Sequence, residues 1–193
     1  RTFEHYQDLD LNYELRPSYW IEPQGDWGEG VVELIEMPTT DETNDNIVAL
    51  WAPKTPLEPG KEFSFGYKLI SMLDSGDLHP GGRVVNTYQA KPKALGSGEP
   101  VTEGSRRFII DFAGGDLDYH LKQPEKVEIV PSITHGRIDR AFIVPNRKTE
   151  GFRAFVDVVV EPGQIAEMRA FLRSGGKTLT ETWSYPWRAE AQG

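Results

Sequence analysis

A cluster of acidic and amide side chains lies directly before one of the most apolar stretches of the chain. The sequence TDETNDNIVALWAP spans residues 40–53, and five apolar residues, 47–51, follow its polar part at once. Such a cluster is typical of a turn in which Asp and Asn side chains bond backbone amides before a strand. A carboxylate at the edge of a buried strand is also partly desolvated, which raises its pKa and lets it act as a general acid. The residues alone leave both interpretations open.

A second short segment places two Trp residues on either side of two carboxylates. Trp20 and Trp27 flank Glu22 and Asp26, and the loop GDWGEG spans residues 25–30. This loop leads into a strand-like run, so it lacks the helix N-terminus that would bind a phosphate. It indicates a tight loop with Gly at positive φ. The Trp residues are typical of a core, but indole faces beside carboxylates are also what a sugar site uses.

Other catalytic groups find no support in the residue spacing. DLDLN and DETND have the 1-3-5 oxygen spacing of a calcium loop, but both lack the Gly and Glu that its sixth and twelfth positions require. The four His match no zinc spacing, and the Ser residues lie in no nucleophile-elbow context. We therefore expect no metal or other cofactor. Acid–base chemistry of the glycosidase type, carried by carboxylates, is the enzymatic hypothesis that remains.

The composition bounds the class of protein. A chain of 193 residues with 38% hydrophobic residues can bury a real core, and its net charge of −9 argues against nucleic acid as the main partner. The absence of Cys excludes disulfides and thiolate sites. No apolar run approaches the roughly 20 residues of a membrane-spanning helix. The chain begins at Arg1 without a signal sequence, so we expect a processed chain or a piece of a longer one.

Apolar residues that alternate with polar ones predict a nearly all-β fold. The clearest runs are KEFSFGYKLISM at 61–72, GFRAFVDVVVE at 151–161 and TLTETWSYPW at 178–187. In the last run the alternation places Leu179, Trp183 and Tyr185 on one face and Thr180 on the other. Further strands are expected at VVELIEM, RFIIDFAG, KVEIVPSIT and RAFIVPN. The only helix-like pieces are HYQDLDLNYEL at 5–15 and GGDLDYHLKQ at 114–123.

A polar, Gly- and Pro-rich segment divides the chain. LDSGDLHPGGRV at 73–84 indicates a linker between a first domain, residues 1–72, and a second domain, residues 85–193. The second has the size and strand spacing of an immunoglobulin-like sandwich without its disulfide. The first would expose a wide apolar face unless it pairs with a missing portion of the protein or with another chain.

Long and specific motifs carry a resemblance to a known family. RPSYWIEPQGDWGEG at 16–30 and ETNDNIVALW at 42–51 resemble the periplasmic glucan biosynthesis protein G/D family of Gram-negative bacteria. The similarity continues through PLEPGKEFSFGYKL at 56–69 and EMRAFLRSGGKTLTETWSYPW at 167–187. Between about 85 and 165 it rests mainly on the strand pattern.

This resemblance implies a periplasmic protein that acts in the synthesis of osmoregulated glucans with a β-1,2-linked backbone. Family members have a large N-terminal β-sandwich with an acidic cleft, followed by an immunoglobulin-like domain, so residues 1–72 would be the last strands of the large sandwich. Some members resemble inverting endo-acting β-1,2-glucanases. The acid carboxylate of that reaction maps onto Asp45, and its partner base would lie in the missing N-terminal part.

Further motif positions fall near the cleft that the resemblance implies. Those expected to contact glucan are Tyr6, Asp8, Arg16, Trp20, Glu22, Asp26 and Trp27. Asp26 is the second choice for the acid if Asp45 proves structural.

Three functional hypotheses follow. The first is synthesis or trimming of periplasmic β-glucan, with Asp45 as proton donor in the complete protein. The second is a non-catalytic glucan-binding or scaffolding protein that presents chains to a membrane glucan synthase. The third, based on residues 85–193 alone, is an immunoglobulin-like adhesion or chaperone module that captures peptides at a free sheet edge.

Overall fold

The computed structural model describes residues 9–37, 39, 46–73, 80–93 and 101–189. Nearly all of its regular structure is β-strand, which confirms the all-β prediction. The chain divides into two compact units, Arg1–Leu78 and His79–Gly193. Among the described residues, no helix has the length and apolar character needed to cross a membrane.

The first unit contains two antiparallel ribbons of two strands each. Its strands are β1 Ser18–Gln24, β2 Gly30–Glu36, β3 Ile47–Pro53 and β4 Gly66–Met72. The first ribbon pairs β1 with β4, and the second pairs β2 with β3. None of the described residues of this unit is buried, and large apolar side chains such as Val32 and Leu34 are 74% and 61% exposed.

Two details of the first unit differ from the sequence-based expectation. The strand predicted over residues 61–72 begins only at Gly66, which pairs with Gln24, the last residue of β1. Residues 61–65 have no β1 residue opposite them and therefore stay outside the ladder. The helix-like piece predicted at 5–15 is, in its described part, a single 3₁₀ turn at Tyr13–Leu15.

In its described residues the second unit is a β-sandwich of two sheets with a short α-helix and a 3₁₀ turn at Pro124–Lys126. Its elements are β5 Arg83–Ala90, β6 Ser105–Ala113, α1 Leu117–His120, β7 Val127–Ile133, β8 Arg137–Asn146, β9 Gly151–Val159, β10 Ile165–Ser174, β11 Lys177–Thr178 and β12 Trp183–Arg188. One sheet has the strand order β5-β6-β9-β8. In the other, β10 pairs with β7 and with both β11 and β12. The strand β5 begins two residues before the predicted start of the second domain at 85.

The core of the second unit lies between the inner faces of its two sheets. Alternate residues of β9, from Phe152 to Val158, are buried as the sequence pattern predicts. From β6, Phe108 packs its ring against Trp183 and Trp187 of β12, with ring centres 5.6 and 5.8 Å apart. Because these contacts join one sheet to the other, burial of apolar surface holds the sandwich together.

The sequence-based prediction for Thr180 is wrong. The alternation over residues 178–187 places it on the polar face, but it is 1% exposed. The run is not continuous, because β11 ends at Thr178 and β12 begins at Trp183. The Thr180 hydroxyl accepts a hydrogen bond from the Leu172 amide at 3.0 Å and donates one to the Glu181 carbonyl at 2.8 Å. The buried hydroxyl is therefore satisfied.

Two ion pairs link β6 to β9 on the outer face of their sheet. Arg107 binds Asp157 through two hydrogen bonds of 2.6 and 2.7 Å, and Arg153 binds Asp111 through two of 2.7 and 2.8 Å. The hydrogen bonds to these carboxylates raise the pKa of both guanidinium groups. The Asp111 side chain is only 2% exposed. Paired and hydrogen-bonded in this way, a buried carboxylate is tolerated.

Candidate functional site

Trp27 is the centre of an aromatic cluster that joins the two ribbons of the first unit. Its ring centre lies 5.0 Å from that of Phe65, 6.2 Å from that of Trp51 and 6.4 Å from that of Tyr67. Its indole N–H donates to the carbonyls of Gly66, at 3.1 Å, and Gln24, at 3.3 Å. The ring is thereby fixed at the point where β1 ends and β4 begins.

A cavity of about 290 Å³ opens beside this cluster. Its lining residues are Asp26, Trp27, Trp51, Pro53, Leu57, Phe63, Ser64 and Phe65. Its volume is at the lower end of the roughly 300–1,000 Å³ typical of ligand pockets. Among the described lining residues, Asp26 supplies the one carboxylate, and the other walls are predominantly apolar. This is the arrangement of a site that stacks an apolar face and bonds one polar group.

The loop before β2 positions Asp26 and makes room for the Trp51 ring. Asp26 Oδ1 accepts a hydrogen bond of 2.8 Å from the Gly28 amide, which closes the turn. Gly25 and Gly28 have φ of 80° and 71°, which confirms the predicted loop with Gly at positive φ. At Gly30 an added Cβ would lie 2.5 Å from Cζ2 of Trp51, so only Gly lets that ring cross the start of β2.

The other described candidates lie outside this cavity. Trp20 and Glu22 share one face of β1, since residues two apart on a strand point the same way. Glu22 lies opposite Lys68 on β4, at 3.5 Å between carboxylate oxygen and Nζ, and the Trp20 side chain is 42% exposed. Arg16 follows the 3₁₀ turn and stacks its guanidinium 4.1 Å from the centre of the Tyr13 ring. The structure thus brings Asp26 and Trp27 together, and separately Trp20 and Glu22.

Three of the predicted site residues lie outside the described residues. They are Asp45, Tyr6 and Asp8. Their roles therefore stay predictions. Within the described part of the chain, no three His, Asp or Glu side chains converge in a way that could hold a metal ion.

Sequence reasoning missed most of the cavity wall. The pattern of acids and Trp residues does not point to Trp51, Leu57, Phe63 or Phe65, although aromatic residues alternate at 63, 65 and 67 in the run that predicts a strand. The signal in the sequence is the three aromatic residues at 63, 65 and 67, which is more aromatic surface than one face of a half-buried strand usually carries. Only the pairing of β1 with β4 brings it beside Trp27.

The fold and this cavity define a nearly all-β protein with an aromatic, carboxylate-edged surface site. The model of the family described as "Periplasmic glucan biosynthesis protein, MdoG" matches residues 1–187. The chain belongs to that family, as its sequence motifs indicate.

Several relatives resemble the chain over nearly all of its length. It is 42% identical over 192 residues to the "Probable glucans biosynthesis protein D" of Shewanella oneidensis, with 97% of this chain and 34% of that protein covered. It is 44% identical over 189 residues to the "Glucans biosynthesis protein D" of Stenotrophomonas maltophilia, with 96% and 34% covered. The protein of that name from Xanthomonas campestris is 42% identical over 192 residues, with 97% and 35% covered. The chain therefore spans about a third of the length of these relatives.

Proposed function

We propose that this chain is part of a periplasmic protein that binds and processes β-1,2-linked glucan, and that the Trp27 cavity is one of its sugar subsites. The observation that supports this most directly is the cavity itself. Its aromatic walls suit the C–H faces of a pyranose ring, and the second carboxylate oxygen of Asp26 has no hydrogen bond among the described residues. Membership of a family described by glucan biosynthesis agrees with such a ligand.

In this proposal the two parts of the chain have different roles. Residues 1–72 are the last strands of a glucan-active β-sandwich, and residues 85–193 are its immunoglobulin-like companion, joined by the linker 73–84. Asp45 protonates the leaving oxygen in an inverting hydrolysis. Its partner carboxylate belongs to the remainder of the complete protein, about 6.5–9.5 Å from Asp45 so that a water molecule fits between them.

A non-catalytic glucan-binding role is the alternative, and one observation favours it. Among the described residues that line the cavity beside Trp27, Asp26 supplies the single carboxylate, and one oxygen of that carboxylate already closes a turn. An inverting hydrolase needs two carboxyl groups, one as acid and one as base. The cavity alone therefore supports ring stacking better than bond cleavage.

Release of reducing ends from linear β-1,2-glucan by the complete protein separates the two functions. The variant Asp45→Asn keeps the size of the side chain but cannot donate the proton, so we expect its rate to fall by roughly 10²–10⁴-fold. The matched control is Asp41→Asn, an identical change four residues away in the same acid cluster, which should retain most of the activity.

The outcomes are distinct. Equal losses in the Asp41 and Asp45 variants would mean that the cluster acts through its fold or total charge and not through a proton donor. If the wild-type protein binds the glucan but does not cleave it, the hydrolase hypothesis is wrong and glucan binding is the function.

Glucan affinity tests the cavity independently of catalysis. We expect Trp27→Ala to weaken binding of the complete protein about tenfold or more, a factor that corresponds to roughly 1.4 kcal/mol. Trp20→Ala is the control variant, because it removes an indole from the same unit, on strand β1, at a position that does not line the cavity. If Trp20→Ala weakens binding and Trp27→Ala does not, the sugar subsite lies on the face of β1 that carries Glu22 and not in the Trp27 cavity. Calorimetric titration with the glucan, together with circular dichroism of each variant, makes the measurement.

A further inference from the structure

The outer face of the β5-β6-β9-β8 sheet carries a second cavity, in the other unit of the chain. Asn86, Asp111, Arg153 and Val144 lie directly opposite one another across the four strands, so that one row of the sheet forms its floor. The turn between β8 and β9 forms a wall. The volume is about 660 Å³, and the lining residues are Asn86, Tyr88, Asp111, Val144, Pro145, Asn146, Arg147, Lys148, Thr149 and Arg153.

The floor of this cavity contains a positioned guanidinium group. Arg153 uses Nε and Nη2 to bind the buried Asp111, and no other described residue accepts a hydrogen bond from its Nη1. Its side chain is 38% exposed, and its Cζ lies 5.8 Å from the centre of the Tyr88 ring. Held by a carboxylate that solvent does not reach, this guanidinium loses little further freedom on binding a ligand.

The wall adds two more cations in an ordered turn. Arg147 and Lys148 both line the cavity, and neither forms an ion pair among the described residues. The Lys148 amide donates to Asn146 Oδ1 at 3.2 Å, and the Thr149 amide donates to the Asn146 carbonyl at 3.3 Å, so Asn146 fixes the turn. Glu150, with φ of 54°, follows in the turn but is not part of the lining.

The charge of this cavity is opposite to that of the whole chain. Among its described lining residues, Arg153 neutralises the one carboxylate, that of Asp111, and Arg147 and Lys148 add two positive charges, whereas the chain carries a net charge of −9. Guanidinium and ammonium donors beside an exposed aromatic ring suit an anionic group attached to a small organic body. The hydroxyls of a neutral sugar would accept hydrogen bonds from these cations but would not compensate their charge.

We propose that this cavity binds a small organic anion through a phosphate or carboxylate group, which Arg153, Arg147 and Lys148 hold while its body contacts Tyr88. Inorganic phosphate and a phosphorylated sugar share this chemistry. Its lining shares no described residue with the Trp27 cavity, and the proposal does not depend on the glucan hypothesis.

The test is an NMR titration of the 193-residue chain at about 20 mM salt with inorganic phosphate, glucose 6-phosphate and glucose. We expect saturable shifts of the Lys148, Thr149 and Arg153 amides with both anions and none with glucose. The double variant Arg147→Gln/Lys148→Gln should weaken the affinity for glucose 6-phosphate about fivefold or more. Lys122→Gln/Lys126→Gln, which removes two exposed cations outside the cavity, should bind like the wild type.

Three results would overturn the proposal. The first is no saturable shift at these amides with either anion. The second is an equal response to glucose, which would make the site one for neutral sugars. The third is equal weakening by both double variants, which would show a diffuse effect of net charge. Tighter binding of glucose 6-phosphate than of inorganic phosphate would support the contact of the organic body with Tyr88.

Discussion

At the scale of single residues, burial distinguishes ion pairs that look alike in the sequence. Arg153–Asp111 and Arg137–Asp139 both join Arg to Asp on the same sheet, with contacts of 2.7 and 2.8 Å. The carboxylate of the first pair is 2% exposed and that of the second is 44% exposed. Only the first carboxylate would be left desolvated and uncompensated if its partner were removed.

We therefore expect Arg153→Met to lower the free energy of unfolding of the second unit by about 3 kcal/mol or more. The matched variant Arg137→Met should cost no more than about 0.5 kcal/mol, because solvent stabilises the Asp139 carboxylate once it is unpaired. Urea denaturation followed by circular dichroism compares the two. Similar losses in both variants would contradict this account and show that Asp111 gains its stabilisation elsewhere.

The residues of the candidate site were only partly predictable, for a physical reason. Asp26 and Trp27 are neighbours in the sequence, so their proximity needed no knowledge of the fold. Phe65 and Trp51 approach Trp27 only through the β1–β4 and β2–β3 ladders. Pairing between strands distant in sequence is set by burial over the whole ladder, which no local pattern encodes. The catalytic assignment of Asp45 stays a prediction from the family resemblance.

At the scale of elements, alternation predicted strands correctly where a partner strand runs alongside. The strands β6 and β9 are central in their sheet, and their inner residues alternate as the sequence indicates. The pattern failed where a partner ends. Residues 61–65 alternate like a strand, but β1 stops at Gln24 and offers them no ladder. It failed again at Thr180, where a break between β11 and β12 turns a polar side chain inward to bind the Leu172 amide.

At the scale of the whole molecule, the two units differ in how their strands are supported. The second unit buries a core between two sheets, whereas the described strands of the first form ribbons of only two strands with both faces exposed. Both faces of β2 carry exposed apolar side chains: Val31 is 57% exposed on one face and Val32 is 74% exposed on the other. Contiguous exposed apolar surface of this kind is typical of a surface that further polypeptide covers, and the relatives are about three times as long as this chain.

The strands of the first unit should therefore be far less protected than those of the second in the 193-residue chain. Isolated two-stranded ribbons are marginally stable in water, so the amides of β1–β4 should exchange with solvent at nearly unprotected rates. Amides of β6, β9 and β10 exchange only when the sandwich opens, and should be slower by at least about 10³-fold. Hydrogen exchange monitored by NMR or mass spectrometry reads both groups in one sample. Protection of β2 and β3 equal to that of β9 would need a second measurement at tenfold lower protein concentration. Protection that persists on dilution would be intrinsic to the ribbons and would contradict this account. Protection that is lost on dilution would mean that a second copy of the chain covers the ribbons. In a protein as long as the relatives, the same amides should become protected, because the added polypeptide would cover both faces of β2 and β3.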